Sequence, residues 1–181
     1  VLAELGWWTR RKLNMFIVER SPVLRKQQQD KVGVDRAQWF ERIEDALAAC
    51  GGHALIFHNE LLDAFPITLV QWSAERRAWD KVYVEIGHGT VREFTKPLEW
   101  YPTEYDCYSV LKEWSALKPP PHPEQRCEIA KSVFEWIQNW SFHWKKGVML
   151  SIDYGDVFPS LYDRRPYGTL RAYLMHQRLT G

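Results

Sequence analysis

This chain has few cysteines. Cys50, Cys107 and Cys127 are odd in number, far apart and form no C-x-x-C. That excludes a disulfide framework and a zinc knuckle, and it predicts free thiols in a reducing compartment. An excess of either charge is also missing: Lys plus Arg number 24 and Asp plus Glu 23, for a net charge of +1. Bulk attraction to nucleic acid or anionic lipid is therefore excluded as a primary function. No apolar run approaches the roughly 18 to 20 residues that span a bilayer. The opening VLAELGWWTRRKL lacks a signal peptide's order of charge, apolar stretch and small cleavage site. The expectation is a soluble chain that is not exported. A nucleophile elbow (G-x-S-x-G) and a phosphate loop (G-x-x-x-x-G-K-[ST]) are both absent. The histidines show no metal-ligand spacing with carboxylates or thiols, so no metal is expected.

What is present is a globular composition, 45% hydrophobic and 14% aromatic. The ten tryptophans read as core and rim residues, with an exposed binding surface as the alternative. At 181 residues one core is expected, burying about 68 to 70% of the surface of the unfolded chain without disulfides or metal. The proline-rich KPPPHP at 118–123 is a rigid loop inside one domain.

Three short apolar runs, FIV at 16–18, ALIF at 54–57 and VMLSI at 148–152, suit central parallel strands covered on both faces. Each is followed by polar residues: Glu19, then His58, Asn59 and Glu60, then Asp153. In an open parallel sheet ligands bind beyond the carboxyl ends of the strands, so these acids are expected to line one crevice. Helices are expected over 2–13, from Pro22 with Ser21 as N-cap, over 39–49, and over 129–144. In the last of these Ile129, Val133, Trp136, Ile137, Trp140 and Trp144 form one face, Lys145 and Lys146 suit the dipole, and Gly147 is the left-handed cap. The middle alternates instead: ITLVQW at 67–72, KVYVEI at 81–86, a Gly87-His88-Gly89 turn and VREF predict an antiparallel meander inserted over about 67–95.

A nucleotide-binding α/β fold places an acid about 20 residues after its glycine-rich turn, where it accepts hydrogen bonds from ribose hydroxyls. Glu19 is well placed to be that acid, yet counting back runs off the start of the chain, and Gly6 stands alone. A dinucleotide oxidoreductase has nothing besides Glu19 to support it.

With its neighbours Glu19 gains weight. The succession IVERSPVLRKQQ, HNELLDAFPI, RCEIAKSVFEW, LSIDYGD and RPYGTLRAYLMHQ resembles the S-adenosylmethionine-dependent methyltransferase family of the mitochondrial complex I assembly arginine methyltransferase and its bacterial homologues. The resemblance covers nearly the whole chain in order, and its NE-x-x-DA-x-P and IDYG-to-GTLRAY segments are specific. It implies an α/β fold of class I, a Rossmann-like, mostly parallel sheet with the antiparallel insertion. It also implies that the first strand and glycine loop precede Val1 and a final section follows Gly181. It makes S-adenosylmethionine the cofactor and Glu19, with Ser21 and Asn59, its binding set.

Transfer to an arginine requires the guanidinium to be oriented and its charge localised, a task that paired carboxylates suit. Glu60 and Asp63 stand three apart, so a helical turn puts both on one face. The plainer reading makes Asn59 or Asp63 a helix cap and Glu60 a solvated side chain. Asp153 and Tyr154 are assigned to substrate, or Asp153 to its own turn's amides. The resemblance adds Arg171 to the substrate set, His176 to the catalytic one, and Glu128 as a residue packing the helix start.

The resemblance thus implies a protein arginine methyltransferase acting on a protein substrate in the cytoplasm or, in a eukaryote, the mitochondrial matrix, with no nucleic acid, no membrane span and a homodimer among the expected states. The alternative is a non-catalytic protein-binding or assembly module that retains the fold and uses its Trp-rich helices as an interface.

Overall fold

Val70 stands opposite Cys127 on one side and Lys81 on the other, which fixes the register of an antiparallel sheet of four strands in the order β6-β5-β4-β7. These strands are β4 (Thr68–Ser73), β5 (Ala78–Gly87), β6 (Thr90–Pro97) and β7 (Arg126–Ile129). The structure, a computed structural model, describes residues 13–87, 90–99, 108–118, 120–174 and 177–179. The chain forms two compact units, Val1–Phe57 with Ile137–Ser151 and His58–Trp136 with Ile152–Gly181.

The second unit is built on that sheet. Alternation in β4 turns Val70 and Trp72 inward, and Trp72 pairs directly with Trp79, ring centroids 5.4 Å apart. Helix α3 (Ser109–Ala116) adds Leu111 and Trp114, closing a core with Cys127 and Ile129. The Trp79 indole donates to the Leu111 carbonyl and to Ser115 Oγ, so its one polar atom is satisfied where its rings are buried. Burial also pushes the Cys127 thiol far above its usual range. With a thiolate so disfavoured, Cys127 is expected to escape alkylation by iodoacetamide in the folded protein and to react once denaturant opens the core. Peptide mapping of the labelled chain checks this. A single turn, α5 (Ser160–Asp163), and a hairpin of β9 (Ala172–Leu174) and β10 (Gln177–Leu179) complete the unit.

In the first unit, β1 (Phe16–Val18) runs parallel to β2 (Gln38–Phe40), joined by α1 (Pro22–Val32). Ser21 caps α1, accepting from the Leu24 amide, and Pro22 opens its first turn. Here the expected helix over 39–49 is corrected: Trp39 and Phe40 belong to β2, and the helix, α2, is only Ile43–Ala49. Trp39 is drawn out of the helix by its sheet register against Ile17 and by the bond from its indole to Gln28. Glu44 and Asp45 then fill the first turn of α2, where the dipole favours them.

The helix expected over 129–144 is likewise shorter. Ile129 ends β7, and α4 covers Lys131–Ser141 with Val133, Trp136, Ile137 and Trp140 on its inner side. Lys145 and Lys146 do not serve that helix's dipole; their amides donate to the Gly52 carbonyl. Gly147 is no helix cap. It lies within β8 (Lys146–Ile152) at φ +144°, where a Cβ would collide with the Ala54 carbonyl. Glycine is required there because β8 lies against β3 (His53–Asn59), its partner in a two-stranded sheet.

The three apolar runs are strands, but two of them are not covered on both faces. Leu55, Phe57, Val148, Leu150 and Ile152 are exposed by 48 to 75%. In β3 only the alternate residues Ala54, Ile56 and His58 turn inward. The helix expected over 2–13, the turn at His88 and Gly89, and His176 lie outside the described residues. Among the described residues no helix is long and apolar enough to cross a membrane.

Candidate functional site

Where β3 ends, the chain makes a turn that its sequence does not announce. Glu60 adopts φ +48°, a left-handed conformation that side chains disfavour, and its amide donates to the Ile152 carbonyl at 2.8 Å. The ends of β3 and β8 are tied together at that point. Asp153, the residue after β8, completes the tie: Oδ2 accepts the Leu62 amide at 3.0 Å and Oδ1 the Tyr154 amide at 2.8 Å. The turn-acid reading of Asp153 therefore holds for its hydrogen bonds, although one of them reaches 91 residues back along the chain.

Glu60 and Asp63 are not brought together by a helical turn. A 3-10 turn, Leu62–Ala64, contains Asp63 without a side-chain cap, and Glu60 stands outside it. Both nevertheless act on Tyr154. Hydrogen bonding with Glu60 and the Glu60 charge, then desolvation, then the charges of Asp63 and Asp153 push the ionisation of the Tyr154 phenol above the usual value. The tied strand ends thus bring the segment of Glu60 and Asp63 beside that of Asp153 and the exposed Tyr154. Acids so grouped hold excess negative charge in reach of solvent and favour a cation with several donors. In the absorbance difference between wild type and Tyr154→Phe, the missing phenol is expected to titrate above the ordinary value of about 10. The same difference taken in a Glu60→Gln background should fall back toward it.

Glu19 lies at the end of β1 in the other unit. Its Oε1 accepts the Ser21 amide at 2.7 Å and its Oε2 the Gln28 side chain at 3.3 Å. A carboxylate has about four acceptor positions, so the orientation of Glu19 is set while part of its capacity stays open to hydroxyl donors. That fits a ribose diol. The Ser21 hydroxyl is engaged as the cap of α1, and Asn59 is exposed at the end of β3. Arg171 is half-buried, its guanidinium donating to the Leu170 carbonyl at 2.7 Å. Among the described residues no group of three or more His, Cys, Asp or Glu is arranged to hold a metal ion.

Two residues have surroundings that differ from what the sequence led one to expect. His58 is 9% accessible with neither ring nitrogen partnered, its ring edge-on to Trp136 at 6.4 Å. The alternation of ALIFHN carries the signal, since it sets His58 on the inner face with Ala54 and Ile56. A buried polar group left unpaired costs about 1 to 3 kcal/mol, and both ring nitrogens are buried. Glu128, on β7, is a hub rather than packing for a helix start. Its Oε1 accepts the Thr169 and Leu170 amides at 2.7 and 3.0 Å, and its Oε2 the Tyr162 and Thr169 hydroxyls, each at 3.0 Å. Gly168 is needed there, at φ +88°, because a Cβ would stand 2.6 Å from that carboxylate. Beside it the buried Gln125 donates to the Pro166 and Arg126 carbonyls.

The model of a family described as putative S-adenosyl-L-methionine-dependent methyltransferases matches residues 7–180. The chain belongs to this family. Its cofactor is accordingly S-adenosylmethionine, and the mixed parallel and antiparallel α/β architecture is compatible with a methyltransferase fold. Comparison with curated proteins and with solved structures found no match.

Proposed function

We propose that this methyltransferase acts on the guanidinium of a protein arginine, with Glu60 and Asp63 at the acceptor and Glu19 on the cofactor ribose. The observation that carries the reading is the tie between the ends of β3 and β8, the Glu60 amide to the Ile152 carbonyl and the Leu62 amide to Asp153, which brings the segment of Glu60 and Asp63 beside Asp153 and Tyr154. S-adenosylmethionine, when bound, supplies a methyl group on a sulfonium sulfur, open to a nitrogen lone pair. Glu60 and Asp63 orient the guanidinium fork and draw its positive charge toward themselves, which leaves one nitrogen richer in electrons. A carboxylate of the cluster takes the proton which that nitrogen sheds. Asp153 holds the turn from which Glu60 and Asp63 project, and Tyr154 donates to Glu60 until substrate replaces it. The same reading assigns Ser21 and Asn59, like Glu19, to the cofactor, Arg171 to the substrate and His176 to the catalytic set. The fold in this reading is a Rossmann-like class I methyltransferase domain carrying the β4 to β6 meander as an insertion.

The test is isothermal titration of the full-length protein with S-adenosylmethionine and its demethylated product. Both are expected to bind, and Glu19→Ala to weaken each about ten-fold, as the loss of one charge-assisted hydrogen bond requires. Absence of heat from either ligand would remove the reading and leave the non-catalytic module.

A further inference from the structure

We propose that the outer edge of β6 docks an extended acidic segment of a partner protein, which adds to the β6-β5-β4-β7 sheet as a fifth strand. β6 is outermost in that order and pairs with β5 over eight consecutive positions, from Asp80 opposite Pro97 to Gly87 opposite Thr90. All eight of its residues are exposed. Among the described residues no strand pairs with that outer edge, and strand addition to such an edge draws affinity from its backbone donors and acceptors and specificity from the alternating side chains beside it.

Those side chains define the occupant. Residues opposite one another share a face, so Lys81 with Lys96, Tyr83 with Phe94 and Glu85 with Arg92 form one side of the hairpin, three cations against one carboxylate. The Tyr83 and Phe94 rings stack at 5.5 Å and 14°. The Lys96 ammonium lies 5.6 and 5.5 Å from their centroids and that of Lys81 5.2 Å from Tyr83. The rings thereby hold both ammonium groups in place. The opposite side carries Val84, Ile86 and Val91, exposed by 57, 79 and 69%, and its one β6 carboxylate, Glu93, is already paired with Arg126 at 2.8 Å. A strand laid along this edge lies beside β6 itself, which presents Arg92, Phe94 and Lys96 on one face and Val91, the already paired Glu93 and Thr95 on the other, so the complement carries acidic residues on the first face and uncharged or apolar ones on the second.

A second copy of the edge is a poor occupant. Antiparallel self-pairing with Phe94 opposite itself sets Arg92 against Lys96 twice, and like charges directly opposite are destabilising. A single-stranded nucleic acid is also a poor fit, because the aromatic rings are engaged with each other and with the lysines rather than open to a base.

The experiment uses the full chain and three probes: a blocked nine-residue peptide of alternating glutamate and valine, its lysine and valine counterpart, and a nine-residue oligouridine. The glutamate peptide is expected to bind and to slow amide exchange in residues 90–97. The double variant R92E/K96E, on exposed positions and checked for folding by circular dichroism, should bind it about ten-fold more weakly, since two cross-strand pairs change sign, and should take up the lysine peptide. The inference is overturned if residues 90–97 gain no protection at millimolar glutamate peptide, if charge reversal leaves the preference unchanged, or if oligouridine binds equally well. Protection of the edge by self-association of the free chain overturns it too. None of these readouts depends on methyl transfer, so this inference and the acceptor assignment stand or fall separately.

Discussion

Glu60→Gln is expected to lower methyl transfer about 10²- to 10³-fold while S-adenosylmethionine binding stays unchanged. The substitution keeps the size of the side chain and the Glu60 amide bond to Ile152, and removes only the charge that would draw on a bound guanidinium. Loss of one preorganised charged group at a reacting centre has effects of that size. Glu60→Gly separates the chemistry from the fold. At φ +48° an L-residue bears about 1 to 2 kcal/mol of strain, against about 0.5 to 1 kcal/mol of chain entropy that glycine adds. The glycine variant should therefore be as stable as wild type or up to about 1.5 kcal/mol more stable, and as inactive as Glu60→Gln. Strain kept at a functional turn has this signature. Chemical denaturation beside a methyl-transfer assay reads both quantities, and a glycine variant less stable than wild type by about 1 kcal/mol would make Glu60 a structural residue.

Glu128→Ala is expected to cost about 2 to 3 kcal/mol. Four donors converge on its carboxylate, two of them backbone amides of Thr169 and Leu170. Hydrogen bonds to a charged group contribute about 1.5 to 3 kcal/mol each, but donors on one carboxylate are not additive, and Leu170 is exposed enough for water to replace part of the loss. Glu128→Gln keeps an oxygen for both amides and presents an NH₂ to two hydroxyls that rotate to accept, so it should cost about 1 kcal/mol. Amide exchange at Thr169 and Leu170 should accelerate strongly in the alanine variant and slightly in the glutamine one. Equal exchange in all three proteins would mean that this turn holds its shape without Glu128.

The two residues also show how far the chain could be read from its letters. Strands at FIV, ALIF and VMLSI, the meander with its alternation, and the Ser21-Pro22 helix start were all legible, because periodicity and capping act between residues at most four apart. Acids at the strand ends were legible for the same reason, being next to the runs they follow. The partners of Glu128 were not, since they stand 34 to 42 residues away. Nor was the left-handed turn at Glu60, which is held by a carbonyl from another strand.

Composition and local pattern by themselves determined an α/β chain with carboxylates at its strand ends, and the resemblance of its motifs to a methyltransferase family, with the family model that matches residues 7–180, supplied its family. Pairing decided the rest. It drew Trp39 and Phe40 into a strand instead of a helix, put Gly147 inside β8 where a side chain would strike Ala54, and tied the turn carrying Glu60 and Asp63 to Ile152 and Asp153. Each of those outcomes depends on contact between segments distant in the chain, and the energy of such a contact appears only when the segments meet.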